Sequence, residues 1–136
     1  MAIAIFGDVH GHLRLVFELC RRWQEATGQT LDAILQCGDM GWFPDVARID
    51  RATRKHAKED AEELGVARFF APTATEEDPR LDENLEVVTA ALYWAHGNHE
   101  DFERLREVVG SRDVAAVDRF DRVRWCRSGT AITVGG

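Results

Sequence analysis

Residues 3–11 read Ile-Ala-Ile-Phe-Gly-Asp-Val-His-Gly, an apolar run that stops at a glycine and continues into an aspartate and a histidine. A short, continuous apolar run of this kind is typical of a buried strand in a parallel sheet. Because Asp8 and His10 are two residues apart, an extended turn lets both side chains point at one ion. The stretch therefore predicts a strand whose carboxyl end carries functional groups.

The residues that follow predict a β–α–β unit. Apolar residues recur with helical spacing over residues 13–26, and Gly28 stands just past the expected end of that helix. Residues 31–37 form a second apolar run that again stops at a glycine, Gly38. A strand, a helix and a strand over this length favour a parallel pair joined by a right-handed crossover.

The rest of the chain continues an α/β pattern. We expect an exposed, charged helix at residues 45–64, a surface loop at residues 72–86 and a helix at residues 101–109. Further strands are predicted at residues 90–95, 123–125 and 130–134. We expect Trp23, Trp94 and Trp125, which fall on apolar faces, in the core. The sequence has no internal repeat or linker-like stretch, so residues 1–136 are interpreted as one domain.

Composition excludes several classes of protein. The formal net charge of −7 argues against a broad nucleic-acid-binding face, although a metal ion can supply positive charge at a local phosphate site. No apolar run approaches the roughly 18 residues of a membrane span, and the amino terminus lacks the basic start of a secretory leader. The three cysteines form no Cys-x-x-Cys pair, which indicates reduced thiols and a cytoplasmic protein.

Three short polar segments each follow a predicted strand: Gly7-Asp8-Val9-His10-Gly11, Gly38-Asp39-Met40 and Gly97-Asn98-His99-Glu100. Loops beyond the carboxyl ends of parallel strands converge on the ligand crevice of an open α/β sheet. Each segment alone also fits an ordinary turn, where Asp and Asn are favoured for backbone reasons. Together, their carboxylate, amide and imidazole groups suit manganese, iron or zinc. The ordered set therefore favours a metal site.

In this order the three segments resemble the calcineurin-like metallophosphoesterase family, whose pattern is Asp-x-His, Gly-Asp and Gly-Asn-His-Asp/Glu, then a later histidine and Gly-His-x-His. The resemblance implies a four-layer αββα sandwich. It implies that Asp8 and His10 bind one metal ion, that Asp39 bridges two ions, and that Asn98 binds the second. It also implies that His99 is not a metal ligand but lies over the substrate, as a general acid or an oxyanion partner.

The function that the resemblance implies is hydrolysis of a phosphate monoester or diester. Two divalent ions, most readily Mn²⁺ with iron or zinc as alternatives, would share a bridging hydroxide that attacks phosphorus. His99 would protonate the leaving group, because an imidazole titrates near neutral pH. The substrate stays open between a phosphoprotein, a nucleotide, an RNA and a small molecule.

The sequence also departs from the family pattern. No histidine follows His99, so the three histidines of the family's last two motifs have no counterpart. We therefore expect the N-terminal portion of a longer domain, incomplete at its carboxyl end, with an exposed sheet edge through which the chain can oligomerise. The alternative is a non-catalytic interaction or scaffold module, as in the retromer subunit that is similar to this family. The presence of His99 favours the enzyme.

A second departure follows Asp39, where the chain reads Met40-Gly41-Trp42-Phe43-Pro44. Related phosphoprotein phosphatases have a Val-Asp-Arg-Gly segment there, so the arginine that grips phosphate and the second aspartate are absent. Trp42 and Phe43 either pack under the loop or stack on a ring of the substrate. His12, just past the first segment, is either a solvated residue at the helix start or part of the site.

Overall fold

The computed structural model describes residues 1–134, which form one five-stranded sheet and its helices. The strands are β1 (Ile3–Gly7), β2 (Ala33–Gly38), β3 (Leu92–His96), β4 (Val114–Ala116) and β5 (Val123–Cys126). Their spatial order is β1-β2-β3-β5-β4, with every pair parallel except β4 with β5. The α/β fold class is confirmed. Within residues 1–134 the second sheet of the expected αββα sandwich is not present.

The register of the first three strands aligns the ends that carry the polar segments. Gly7 pairs with Cys37 across β1 and β2, and Gly38 pairs with His96 across β2 and β3. All three strands run in the same direction, so the residues that follow them leave the sheet at the same edge.

In the described part of the chain four α-helices accompany the sheet: α1 (Leu13–Thr27), α2 (Arg51–His56), α3 (Pro79–Val87) and α4 (Phe102–Val109). The amphipathic pattern of α1 buries Leu13, Val16, Phe17 and Cys20. The helix ends at Gly28, which adopts the left-handed conformation at φ 67° and donates its backbone N–H to the Gln24 carbonyl. The predicted first helix and its glycine end are confirmed.

The single helix predicted at residues 45–64 is wrong. The chain instead forms a 3₁₀ turn at Val46–Arg48, helix α2, and a second 3₁₀ turn at Ala61–Leu64. Each piece is preceded by an aspartate whose side chain accepts a backbone N–H: Asp45 from Ala47, Asp50 from Thr53, and Asp60 from Glu62. An aspartate that caps a helix start must itself be non-helical, so the three caps divide the segment.

Two further predictions fail for local reasons. The second half of the loop predicted at residues 72–86 is helix α3, which Asp78 caps and Pro79 begins. Leu81 and Leu85 on α3 are buried, a pattern that the surrounding acidic residues obscure in the sequence. The strand predicted at residues 130–134 is irregular chain.

One face of the sheet forms the core and the other is partly open. Side chains alternate along the central strands, so Ile34, Leu92 and Trp94 are fully buried on the helix-covered face. On the opposite face of the edge strand β1, Ile3 and Ile5 are 37% and 69% exposed. Trp94 and Trp125 lie in the core as predicted, but Trp23 is 38% exposed beside this edge. No helix within residues 1–134 is long and apolar enough to cross a membrane.

Gln36 is a polar residue in the apolar core. It lies on the buried face of β2, is 1% exposed, and its amide nitrogen and oxygen have no hydrogen-bond partner within residues 1–134. An unsatisfied buried amide destabilises the folded state. We expect Gln36→Leu to raise the free energy of unfolding by about 1–2 kcal/mol, measured by urea denaturation. Gln29→Leu, the same change at an exposed position, should shift it by less than about 0.5 kcal/mol; a loss of stability in Gln36→Leu would contradict this account.

Candidate functional site

The loop after β1 has a strained backbone. Asp8 and His10 have positive φ angles of 46° and 45°, a region that non-glycine residues occupy at a cost. Backbone hydrogen bonds hold this loop to the one after β2: His10 N–H donates to the Asp39 carbonyl at 3.1 Å, and Gly11 N–H to Met40 at 2.7 Å. Two sequence-predicted ligand residues are therefore fixed in unusual conformations against a third, Asp39.

Asp39 lies between the loops after β2 and β3. Its Oδ1 accepts backbone N–H groups from Asn98 at 2.6 Å and His99 at 3.1 Å. Gly97 makes this approach possible, because a Cβ at that position would collide with Asp39 Oδ1. A Cβ on Gly38 would likewise lie 2.8 Å from Asp8 Oδ1. Gly38 and Gly97, the glycines before Asp39 and Asn98, thus leave room for a neighbouring carboxylate.

The Asn98 amide faces the Asp39 carboxylate. With its nitrogen toward Asp39, the amide donates to both carboxylate oxygens at 3.1 and 3.2 Å. With its oxygen in the same place, three oxygens face one another, an arrangement that a cation between them stabilises. In either orientation the Asn98 side chain lies against the Asp39 carboxylate, and the orientation with the oxygen inward suits ligation of a cation.

The predicted ligands suit a divalent cation in chemistry, and the two glycines make a cradle for their carboxylates. Asp8, His10, Asp39 and Asn98 all lie on the three loops that the register brings to one edge. Within residues 1–134, however, no three His, Cys, Asp or Glu side chains are grouped closely enough to hold a metal ion by themselves. The donor types therefore suit a metal centre, but the described residues do not complete one.

His99 is held by an aspartate that the sequence analysis missed. Its Nδ1 lies 2.7 Å from Asp50 Oδ2, and its ring meets those of His10 and Phe43 edge-on, with centroids 5.2 and 6.1 Å away. The other Asp50 oxygen, Oδ1, accepts the Thr53 N–H at 2.7 Å as the cap of α2. One helix cap therefore also orients the imidazole, whose Nε2 makes no hydrogen bond within residues 1–134.

Asp50 lies eleven residues beyond Asp39, outside the three polar segments. An aspartate directly before a helical pattern is typical of a helix cap, and this much could be inferred from the sequence. Nothing in its spacing indicated contact with His99, because that contact depends on how residues 40–49 fold.

Glu100 connects two of the loops. It is 7% exposed, and its carboxylate accepts backbone N–H groups from Met40 at 3.0 Å, Trp42 at 2.7 Å and Gly97 at 3.4 Å. Burial raises the pKa of Glu100 to about 7, against the opposing effect of these three donors. Its side chain fixes the segment that begins at Asp39 to the one that contains Asn98.

The aromatic residues after Asp39 pack into the core. Trp42 is 1% exposed and donates from Nε1 to the Val117 carbonyl, and Phe43 is 5% exposed. The packing interpretation is thus confirmed, and stacking of their faces on a substrate ring is not supported. His12 is half-buried and pairs with Asp60 at 3.0 Å. Burial lowers the pKa of His12, but the hydrogen bonds to Asp60 and to nearby carbonyl groups together raise it by more, so the net shift of the pKa is upward.

The comparison with family models gives one match. The model described as calcineurin-like phosphoesterase matches residues 1–130 of the 136-residue chain. No curated protein and no solved structure matches the chain significantly.

Proposed function

Because the chain belongs to the calcineurin-like phosphoesterase family, we propose that it is a metal-dependent hydrolase of phosphate monoesters or diesters. The family consists generally of phosphoesterases that bind divalent metals. The observation that carries the proposal is the meeting of the three polar segments at one edge of the sheet, with Asp39 bonded to the third. The residues of this site are Asp8, His10, Asp39, Asn98 and His99.

Asp8, His10, Asp39 and Asn98 would hold the metal, with Asp39 shared between two ions. When bound, divalent ions supply positive charge to the phosphate oxygens and lower the pKa of a water molecule. Mn²⁺ is the ion we favour, with iron or zinc as alternatives.

His99 is the proton donor of the proposed reaction. With Nδ1 on Asp50, its Nε2 is the atom that gives a proton to the leaving oxygen of the ester. The transfer needs the imidazolium, with a proton on each ring nitrogen, because a neutral ring that keeps its proton on Nδ1 has none on Nε2. The Asp50 carboxylate stabilises this cation and fixes the orientation of the ring. Phe43, packed edge-on against the imidazole, limits the directions from which water reaches it.

The test of the function uses the purified chain with Mn²⁺. Metal stoichiometry is measured together with hydrolysis of p-nitrophenyl phosphate, a monoester, and bis-p-nitrophenyl phosphate, a diester. Two ions per chain and metal-dependent turnover would support the proposal. Absence of turnover with either substrate, in a chain shown to be folded, would count against catalysis by this chain.

Replacing Asp50 tests the assignment of His99. Serine caps a helix about as well as aspartate, so Asp50→Ser should keep α2 while removing the carboxylate that contacts His99. We expect kcat for p-nitrophenyl phosphate to fall at least ~10-fold and the urea midpoint to change little. The matched control is Asp45→Ser, which alters the cap of the 46–48 turn and should leave kcat unchanged. Equal losses in both variants would contradict the role of Asp50.

A second function is favoured by one observation. Within residues 1–134 no three His, Cys, Asp or Glu side chains form a metal-binding group, which suits a non-catalytic interaction module built on the same fold. The exposed edge strand β1 carries no charged side chain, and an unprotected edge of this kind readily pairs with another chain. A chain that forms stable oligomers, binds no Mn²⁺ and hydrolyses neither substrate would favour this alternative.

We also propose a cytoplasmic location from the state of the thiols. Cys20, Cys37 and Cys126 are all free, and burial raises the pKa of Cys20 to about 11. Free thiols are typical of a reducing compartment.

A further inference from the structure

A row of four cations lies on helix α2 and the turn that continues it. Arg51, Arg54, Lys55 and Lys58 follow the i, i+3, i+4, i+7 spacing of one helical face, and all four are exposed. Both lysines of the sequence are in this row, in a chain whose net charge is −7. We call these four residues the basic row. Such a concentration of one sign on an acidic protein creates a local field that attracts anions.

The charges of the basic row are not used within the protein. None of its members forms an ion pair within residues 1–134, and the one side-chain hydrogen bond among them runs from Arg54 to the Ile49 carbonyl. Two nearby acids are engaged elsewhere: Asp60 pairs with His12, and Glu62 pairs with Arg14 of α1. The row is therefore free to bind an external anion.

The position of the row connects it to the candidate site. Asp50, which contacts His99, is the residue immediately before Arg51 and caps the same helix. From Arg51 to Lys58 the helical rise covers roughly 10 Å, enough for more than one phosphate group of a chain. The row lines an open groove of about 620 Å³ together with Ala52.

We propose that the basic row binds further phosphate groups of the substrate, so that the substrate is a phosphate chain, either a nucleoside polyphosphate or an oligonucleotide. The inference rests on the proposed function, with the phosphate that reacts at His99 and the others on α2. Within residues 1–134 no aromatic side chain lines the groove, so recognition is by charge and does not depend on stacking of a base. A local site of this kind is compatible with the net charge of −7.

The test compares two charge-reversal variants of equal net charge. Arg54→Glu with Lys55→Glu changes the basic row, whereas Arg22→Glu with Arg106→Glu changes exposed positions on α1 and α4. Binding of tripolyphosphate and of inorganic phosphate is measured by calorimetry at two salt concentrations. We expect the wild-type chain to bind tripolyphosphate at least ~10-fold more tightly than phosphate, with an affinity that falls as salt rises. The row variant should lose this preference and the control should keep it.

Hydrolysis assays identify the source of the phosphate chain. The value of kcat/KM is compared for p-nitrophenyl phosphate, ATP and an eight-residue oligothymidylate. A preference for ATP or for the oligonucleotide supports the proposal and identifies which of the two carries the phosphate chain. The row variant should lose at least ~10-fold on the preferred substrate and little on p-nitrophenyl phosphate. A wild-type chain without preference for tripolyphosphate, or a row variant that retains it, overturns the inference. If the basic row binds phosphate chains but the chain is not a phosphoesterase, tripolyphosphate will bind and no ester will be hydrolysed.

Discussion

Replacing Asp39 by Asn is expected to remove Mn²⁺ binding and turnover while leaving the fold intact. Two backbone N–H groups, those of Asn98 and His99, bond to the single carboxylate oxygen Oδ1, and the Asn98 side-chain amide faces both oxygens. An asparagine keeps one oxygen for these donors and replaces the other by an NH₂ group, which cannot bind a cation. The change therefore separates the structural role of Asp39 from its proposed role as a shared ligand.

The expected loss is at least ~100-fold in Mn²⁺ affinity and in kcat/KM, because the substitution removes one ligand and its negative charge from both proposed ions. Circular dichroism and the urea midpoint should stay close to those of the wild type. The matched control is Asp82→Asn, the same change on an exposed residue of α3, which should affect neither affinity nor turnover. A fully active Asp39→Asn chain would place any phosphoesterase activity outside this site.

The candidate site was predictable because it depends on short-range patterns and on parallel register. Each apolar run stops at a glycine, and the register of β1, β2 and β3 then brings the following residues to one edge. Asp8, Asp39 and Asn98 could therefore be assigned to the same edge of the sheet before any contact was known, whereas their roles as ligands stay a prediction. Glycine is required at positions 38 and 97 because a Cβ there would collide with a carboxylate oxygen, which gives the motif a physical reason.

What the sequence could not predict depends on competition between local structures. Residues 45–64 contain enough helix formers to suggest one helix, yet the caps at Asp45, Asp50 and Asp60 divide it. Because Asp50 caps α2, its carboxylate lies against His99, and the basic row follows directly in the chain. Periodicity alone cannot decide whether an aspartate within a charged run is a solvated helical residue or a new start.

The exposure of Trp23 has a similar cause. Its position on α1 continues the apolar stripe, but Trp23 lines an open groove beside β1, which is one edge of the sheet within residues 1–134. A helical pattern indicates which face is apolar and does not indicate how far the covering sheet extends.

Glu100 should make the protein less stable as pH rises. Burial raises the pKa of this carboxyl to about 7, above the value near 4.5 expected when the chain is unfolded. Between pH 4.5 and pH 7 the folded state holds a proton on Glu100 that the unfolded state has lost. The contribution of this protonated carboxyl to the free energy of unfolding is therefore fully present below about pH 4.5 and is lost as the pH rises through 7. Each pKa unit corresponds to about 1.4 kcal/mol, so we expect the free energy of unfolding to be about 3 kcal/mol lower at pH 8.5 than at pH 4.5 from this group.

The variant Glu100→Gln isolates this effect, because glutamine does not titrate. Urea denaturation in EDTA at pH 5.5, 7 and 8.5 should show a clearly shallower dependence of stability on pH for Glu100→Gln than for the wild type. The slope is the readout, since the amide nitrogen of glutamine also faces backbone donors such as Trp42 N–H and lowers stability at every pH. Glu86→Gln, the same change at an exposed position on α3, should keep the wild-type slope. Identical slopes in Glu100→Gln and the wild type would show that Glu100 stays ionised in the fold, held so by its three N–H donors.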